Sequence, residues 1–368
     1  MVLKRYVLKT FLSFYLLSAA GFVGIFLIGD FFERVDEFIS RGAPMSDMIL
    51  YYFYKIPFVA FYMAPQAVLL ATVMAISSLA KTNEITAMKA CGVSVTRITL
   101  PVIAASLIIA FLVLASSEFI SPKTSREMNH IFYVKVRGGQ TSIIYIEKEK
   151  IWYKSKTGAI WNIGTYDSDK ATLSQVSIFQ TRGNQFITRR IDAEKAVWID
   201  NQWQFFDGSI RSFGPKGLET TEFFEKRSFI VPETPSDFII HKKRQEEMSV
   251  RNMYEEIKEY QSVGKDVVDK WVDLNFRLSY PFIAVVLSII GIPLSLRSSR
   301  HGGLLFSVAI NLASGVAFSF LYAMCLSLGR GGTFDPILAS WGPIVLFTCM
   351  GFYLLLTIDS EKSLPFLK

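Results

Sequence analysis

Residues 10–29 read TFLSFYLLSAAGFVGIFLIG, a run without one charged side chain, bracketed by Lys9 and Asp30. As a helix rising ~1.5 Å per residue, such a run crosses a hydrocarbon layer of ~30 Å. Five more uncharged runs follow, at 56–80, 98–117, 278–296, 302–329 and 336–358. Three of the six precede a long polar stretch and three follow it. The expected fold is an α-helical membrane protein with six transmembrane helices and an inserted all-β domain. The first run is followed by Asp30 and Glu33 and has no small-residue cleavage site, so it reads as a retained helix rather than a signal peptide.

Composition points the same way. In 368 residues, 51% are hydrophobic and only 19% charged, too apolar for an ordinary soluble enzyme. The basic residues set an orientation. Lys4, Arg5 and Lys9 precede the first run, Lys81, Lys89 and Arg97 separate the second and third, and Arg297 and Arg300 separate the fourth and fifth. These loops are expected in the cytoplasm, with both termini inside and the insert outside. The opposite short loops lean acidic: Glu33, Asp36, Glu37, Asp47 and Asp335 outnumber Arg34, Arg41 and Arg330. The net charge of +7 is therefore a topology signal, with no stripe suited to nucleic acid.

Cys91, Cys325 and Cys349 all fall in or beside the apolar runs, so the insert is expected to fold without a disulfide framework. His130, His241 and His301 are scattered and lack metal-ligand spacing. No GxSxG elbow, HExxH pair or GxxxxGK[ST] phosphate loop occurs, which argues against an enzyme and against ATP hydrolysis by this chain. The apolar runs hold almost no acid or base for an ion-coupled carrier. Energy for any work is expected to enter from a partner.

The insert reads as short strands rich in β-branched and aromatic residues, at 143–147, 150–153, 159–165, 174–181, 185–191, 195–199, 202–206, 209–213 and 220–231. Turn signals separate them at 157–158, 167–168, 183–184, 200–201, 207–208 and 215–217. Many short strands at even spacing favour a β-sandwich or jelly roll. Trp198 and Trp203 flank one of the turns and are expected in the core or paired across strands. Residues 250–262 then read as an amphipathic surface helix that Gly264 ends, with Tyr254, Ile257 and Lys258 on one side. The expected divisions are 1–120 for the first three spans, 121–270 for the inserted domain with a helical return at 249–263, and 271–368 for the last three spans.

Between the second and third runs lies KTNEITAMKACGVSVTR, residues 81–97. Thr82 or Asn83 suits a helix cap, Glu84 sits where the helix dipole favours an anion, and Gly92 suits a left-handed end, giving a short helix over about 82–92. Ile85, Met88 and Lys89 share one side. A helix this short is unstable alone in water and needs a docking surface. On periodicity alone it reads as a capped re-entry turn between two spans more readily than as a coupling element.

The segment from Glu84 to Gly92, the basic N-terminus with the first span, the Lys55-Ile56-Pro57 entry with Pro65, and the plan of three spans, a β-domain and three spans resemble the LptF/LptG permeases of the lipopolysaccharide-export ABC transporter, with a lean towards the LptG type. That resemblance implies a non-catalytic permease in the bacterial inner membrane, paired with a sister permease and driven by a cytoplasmic ATPase dimer that itself binds ATP and Mg. Glu84, Ile85, Met88, Lys89 and Gly92 would form the coupling helix on the ATPase. Lipopolysaccharide would enter laterally and pass to periplasmic jelly-roll bridge proteins, which the insert would join by strand addition. Its acyl chains would lie in a cavity lined by spans one, two, five and six. Its phosphates would meet basic groups at the outer rim: Arg34, Arg41, Lys123, Arg126, Lys135 and Arg137. Where family members carry lysines at the outer end of span one, this chain has Asp30 and Glu33 beside Arg34. The alternative reading is an ATPase-driven mechanotransmitter or scaffold through which no lipid passes.

Overall fold

The computed structural model describes residues 2–137, 151–155, 158–167, 171–182, 186–199, 202–214, 217–229, 231–235, 244–262 and 266–358. The strand expected at 143–147, the turn positions 157, 168, 183–184, 200–201 and 215–216, His241 and Gly264 lie outside them. By contacts the chain divides into a unit of residues 1–138 with 244–368 and a second unit of residues 139–243. Residues 121–138 and 244–270, expected within the inserted domain, therefore belong with the helices.

In the helical unit, α1 (Val2–Ser40), α2 (Met45–Lys81), α3 (Glu84–Ala90) and α4 (Val95–Phe119) are followed by α5 (Ser121–Asn129), which runs on as a π-helical stretch, His130–Val136. After the insert come α6 (Val250–Ser262), α7 (Val268–Ser279), α8 (Ile283–Arg330) and α9 (Pro336–Ile358). Six stretches among the described residues are long and apolar enough to cross a membrane: α1, α2, α4, Val268–Arg297, Leu305–Arg330 and α9. The fourth and fifth of these share α8, which breaks at Gly303 where φ is 73°. This is a multi-pass membrane protein.

The spans differ sharply in how much they bury. In the most apolar window of each, 67% of α2 and 72% of the fourth span are buried, against 11%, 22% and 17% for the first, fifth and sixth. Span two is the hub because its partners lack side chains where it passes. A Cβ added at Gly291 would lie 3.2 Å from Leu69 Cδ1, and one at Gly315 only 2.7 Å from Leu69 Cδ2. With no hydrophobic force between helices in lipid, such close backbone approach is what drives association. Some of the polar groups buried there are paired: Ser77 with Ser307 at 2.8 Å, and Asn311 Nδ2 donating to the Ser307 carbonyl at 2.8 Å.

Among its described residues the second unit holds six antiparallel strands in chain order, β1 (Ile151–Lys154), β2 (Ile160–Asp167), β3 (Thr172–Arg182), β4 (Phe186–Ile199), β5 (Gln202–Gly214) and β6 (Gly217–Phe229). Several are longer than their hydrophobic pattern suggests. From Phe186 on, the segments expected at 185–191 and 195–199 are one strand, and so are 202–206 and 209–213; the Asp207-Gly208 pair lies inside β5 instead of turning it. Trp161, Ile178, Ile191 and Ile210 lie opposite one another in register, as do Leu173, Ala196 and Phe205, and both rows are buried in one cluster. Strict alternation along β3 would put Leu173 and Ile178 on opposite faces. Between the rows Gln175 and Asp207 take left-handed φ of 53° and 48°, which resets the pleat so that both rows reach the same core. The result is an open, sandwich-like domain made by one bent sheet, without jelly-roll crossovers among the described residues. Trp198 and Trp203 pair across β4 and β5 with ring centroids 5.2 Å apart, and the indole of Trp203 donates to the Glu233 carbonyl at 2.8 Å.

Gly208 sits on this bend, where an added Cβ would collide with the Asp192 carbonyl oxygen. Backbone cannot yield as a leucine tip can. Gly208→Ala is expected to destabilise the insert by about 1–3 kcal/mol, whereas Gly315→Ala, which meets only the end of Leu69, costs under about 1 kcal/mol. Tryptophan-fluorescence melting of the two full-length variants compares them, and equal shifts would contradict the bend.

Candidate functional site

Two stiff corners hold α3. Only Thr82 and Asn83 separate it from α2, with Asn83 at φ 58°, and Gly92 at φ 80° closes its other end. As expected for a left-handed end, the Val93 N–H reaches back to the Met88 carbonyl at 3.1 Å and the Gly92 N–H to that of Lys89 at 2.9 Å. The expected side-chain cap does not form. Asn83 is left-handed instead of extended, and the Thr82 hydroxyl bonds the Glu84 carboxylate at 2.8 Å instead of a helix N–H.

Ile85 is 4% exposed and packs with Val7, Phe11, Leu79 and Ile98, with Met88 against the same cluster. These two residues therefore anchor α3 to its own chain. Thr86, Ala87, Ala90, Cys91 and Gly92 are exposed, with Glu84 and Lys89 half-buried at the margin. Glu84 also interacts with the hydroxyl of Tyr6 in α1. What remains for a partner is a small-residue face edged by one acid and one base.

At the opposite ends of α1 and α2 lies a charged cluster built on the π-helical stretch. Arg137 holds Glu37 through two bonds, 2.5 and 2.9 Å, and this carboxylate raises the guanidinium pKa above its usual range. Lys135 pairs with Asp47 at 2.9 Å. Arg34 pairs with Asp30 at 3.1 Å, and the Arg34 and Arg137 guanidiniums stand 4.7 and 4.6 Å from the ring centroid of Phe132. Phe132 itself is buried with Phe38, Tyr51 and Met128. Arg41, Lys123 and Arg126 are exposed and form no side-chain hydrogen bond or ion pair among the described residues.

A protein-family model described as lipopolysaccharide export system permease LptF/LptG matches residues 5–357. The chain belongs to this family. No individual curated protein matches it significantly. The match takes in both units and every span, and it makes the chain a permease of the lipopolysaccharide export system, a transport subunit rather than a catalyst. One model describes LptF and LptG together.

In this LptF/LptG permease the six rim cations fall into two groups: Arg34, Lys135 and Arg137, already paired, and Arg41, Lys123 and Arg126, open to an anion. Hydropathy gives no hint of the residue that organises the first group. Lys55 of α2 is 5% exposed and donates to Asp30 Oδ1 at 2.5 Å and to the Tyr51 hydroxyl at 3.2 Å. The signal in the sequence is a lone lysine just before an apolar run, with a lone aspartate just after another. Asp30 thus serves as the counter-ion of Lys55.

Removing one member of a buried pair strands the other charge, at a cost of about 3–5 kcal/mol. Asp30→Asn is expected to lower thermal stability by that order, and Asp30→Asn with Lys55→Met to recover most of it. Detergent-solubilised melting curves measure both; an Asp30→Asn variant as stable as the parent would show that the pair holds nothing together.

Proposed function

We propose that this chain is one of two permeases through which a separate cytoplasmic ATPase dimer, which binds the ATP and Mg, extracts lipopolysaccharide from the bacterial inner membrane and passes it to a periplasmic bridge. The observation that carries the reading is α3: a helix of seven residues, too short to stand alone, anchored inward by Ile85 and Met88 and bare outward. A membrane protein needing only a turn between α2 and α4 has no use for such a face. Its sidedness follows from the basic loops, with α3 and both termini in the cytoplasm and the β-unit in the periplasm.

At the other end, a lipid phosphate meets Arg41, Lys123 and Arg126 first, because those cations have no carboxylate to surrender. Lys135 and Arg137 join only as Asp47 and Glu37 release them. In the β-unit, β6 ends the sheet, and Leu218 and Phe223 on it are 58% and 83% exposed. A long open edge of this kind accepts another sheet by strand addition, which is the attachment we assign to the bridge. The subunit is of the LptG type on the character of the coupling segment.

Coupling separates from folding by mutation. Glu84→Lys gives up its contacts with Thr82 and Tyr6 and is expected to cost no more than about 1–2 kcal/mol of stability while weakening ATPase association by about tenfold or more, as reversal of a contact charge does. Ile85→Ala instead costs about 2–5 kcal/mol of stability through the cavity it leaves. Co-purification and lipopolysaccharide-stimulated ATP hydrolysis in the reconstituted complex test this, and full coupling by Glu84→Lys would remove α3 from the energy path.

A further inference from the structure

The helical unit holds a cavity of about 250 Å³ that none of the six rim cations lines. It opens between Phe58, Phe61 and Tyr62 of α2, Ser117 and Ser121 at the α4–α5 junction, and Arg277 of α7. All of these lie within a few turns of the boundary between apolar run and polar insert, the depth at which lipid headgroups sit.

Its two sides have opposite demands. On one, Arg277 donates to the Ser117 and Gln245 carbonyls at 2.7 and 2.9 Å, but its buried Nε–H has no acceptor. Ser121 lines the same side, 4% exposed, and its hydroxyl has no partner either. The Glu118 carboxylate acts on Arg277 as well, yet the Nε–H and the Ser121 hydroxyl both keep a buried donor without an acceptor, which suits an anionic oxygen. On the other side Asp273 is satisfied, with Arg330 on one oxygen at 2.8 Å and Gln245 on the other at 2.5 Å. Glu246 is not: it lines the cavity and makes no side-chain hydrogen bond or ion pair among the described residues. Phe58, Phe61 and Phe276 line the same cavity, and a carboxylate with ring faces nearby suits an ammonium.

We propose that this cavity is a headgroup site for an aminophospholipid, in which the phosphate takes Arg277 and Ser121 and the primary ammonium takes Glu246 and the ring faces. The volume is below the ~300–1,000 Å³ of pockets that bury whole drug-sized ligands. A headgroup fits it, and its acyl chains stay outside along the spans. The site is independent of lipopolysaccharide transport and stands or falls apart from it.

The full-length protein is reconstituted in phosphatidylcholine vesicles carrying equal fractions of phosphatidylethanolamine and phosphatidylglycerol, then released for native mass spectrometry of retained lipid. The parent is expected to keep phosphatidylethanolamine over both others. Arg277→Met lowers retention by about tenfold and Ser121→Ala by a few-fold, the range for charged and neutral hydrogen bonds. Glu246→Gln, which removes no side-chain hydrogen bond or ion pair among the described residues and is expected to fold normally, abolishes the preference for phosphatidylethanolamine over phosphatidylglycerol. Equal retention of the three lipids by the parent, preferential retention of phosphatidylglycerol, or an unchanged preference in Glu246→Gln would overturn the proposal.

Discussion

Leu69 fills the space left by two glycines, and the architecture of the membrane unit depends on that contact. Because Gly291 and Gly315 carry no side chain, α2 lies against both limbs of α8 at once, and buried polar groups come within bonding distance, Ser77 of Ser307 at 2.8 Å and Asn311 of Ser295 at 3.3 Å. In hydrocarbon an unpaired polar group costs several kcal/mol, so the same close packing that brings the helices together makes their polar residues tolerable. Spans two and four are consequently interior, and spans one, five and six are left with faces that the chain itself does not cover.

Span one is held at its ends and bare in between. Near α3, Val7 and Phe11 enter the cluster that anchors Ile85; at the far end Phe38 joins Tyr51 and Phe132. Between them Leu16, Leu17, Ile25 and Ile28 are 59–71% exposed. The Asp30–Lys55 pair lies where the bare section gives way to the aromatic cluster. Its tight geometry makes sense there, because a buried cation is tolerable only beside its counter-ion, and the pair fixes the register of α1 on α2 at one height.

The six spans were legible because a run of about twenty residues without charge is what a hydrocarbon layer demands and is rare in a water-soluble fold. Gly92 was legible because a left-handed helix end selects glycine. Helix length was not. Beyond Gly29 the apolar run stops, yet α1 continues to Ser40, since the cost of its charges is met by Arg34 on Asp30 and Arg137 on Glu37, partners that hydropathy does not see. Likewise Asp207-Gly208 carries the usual signature of a hairpin turn, and the same left-handed preference serves a bend within a strand. The individual strands were readable from their β-branched and aromatic residues, but their continuity was not, because it depends on register with neighbouring strands. Of the rim, the residue types were evident and the pairing that divides them was not.

Those features constrain the proposed route of force and cargo. The corners at Asn83 and Gly92 leave no slack, so a push on α3 arrives at the ends of α2 and α4 rather than bending a linker. Ile85 carries it also to Val7 and Phe11, hence to span one. Yet α2 is held to α8 at several points, by Leu69 against Gly291 and Gly315 and by the Ser77–Ser307 hydrogen bond at 2.8 Å. A force delivered at α3 therefore moves the membrane unit as one block and does not pry it open from within. If the work is to make room for acyl chains, that room must open against the faces this chain leaves bare, on spans one, five and six, and the wall facing them must belong to a second subunit.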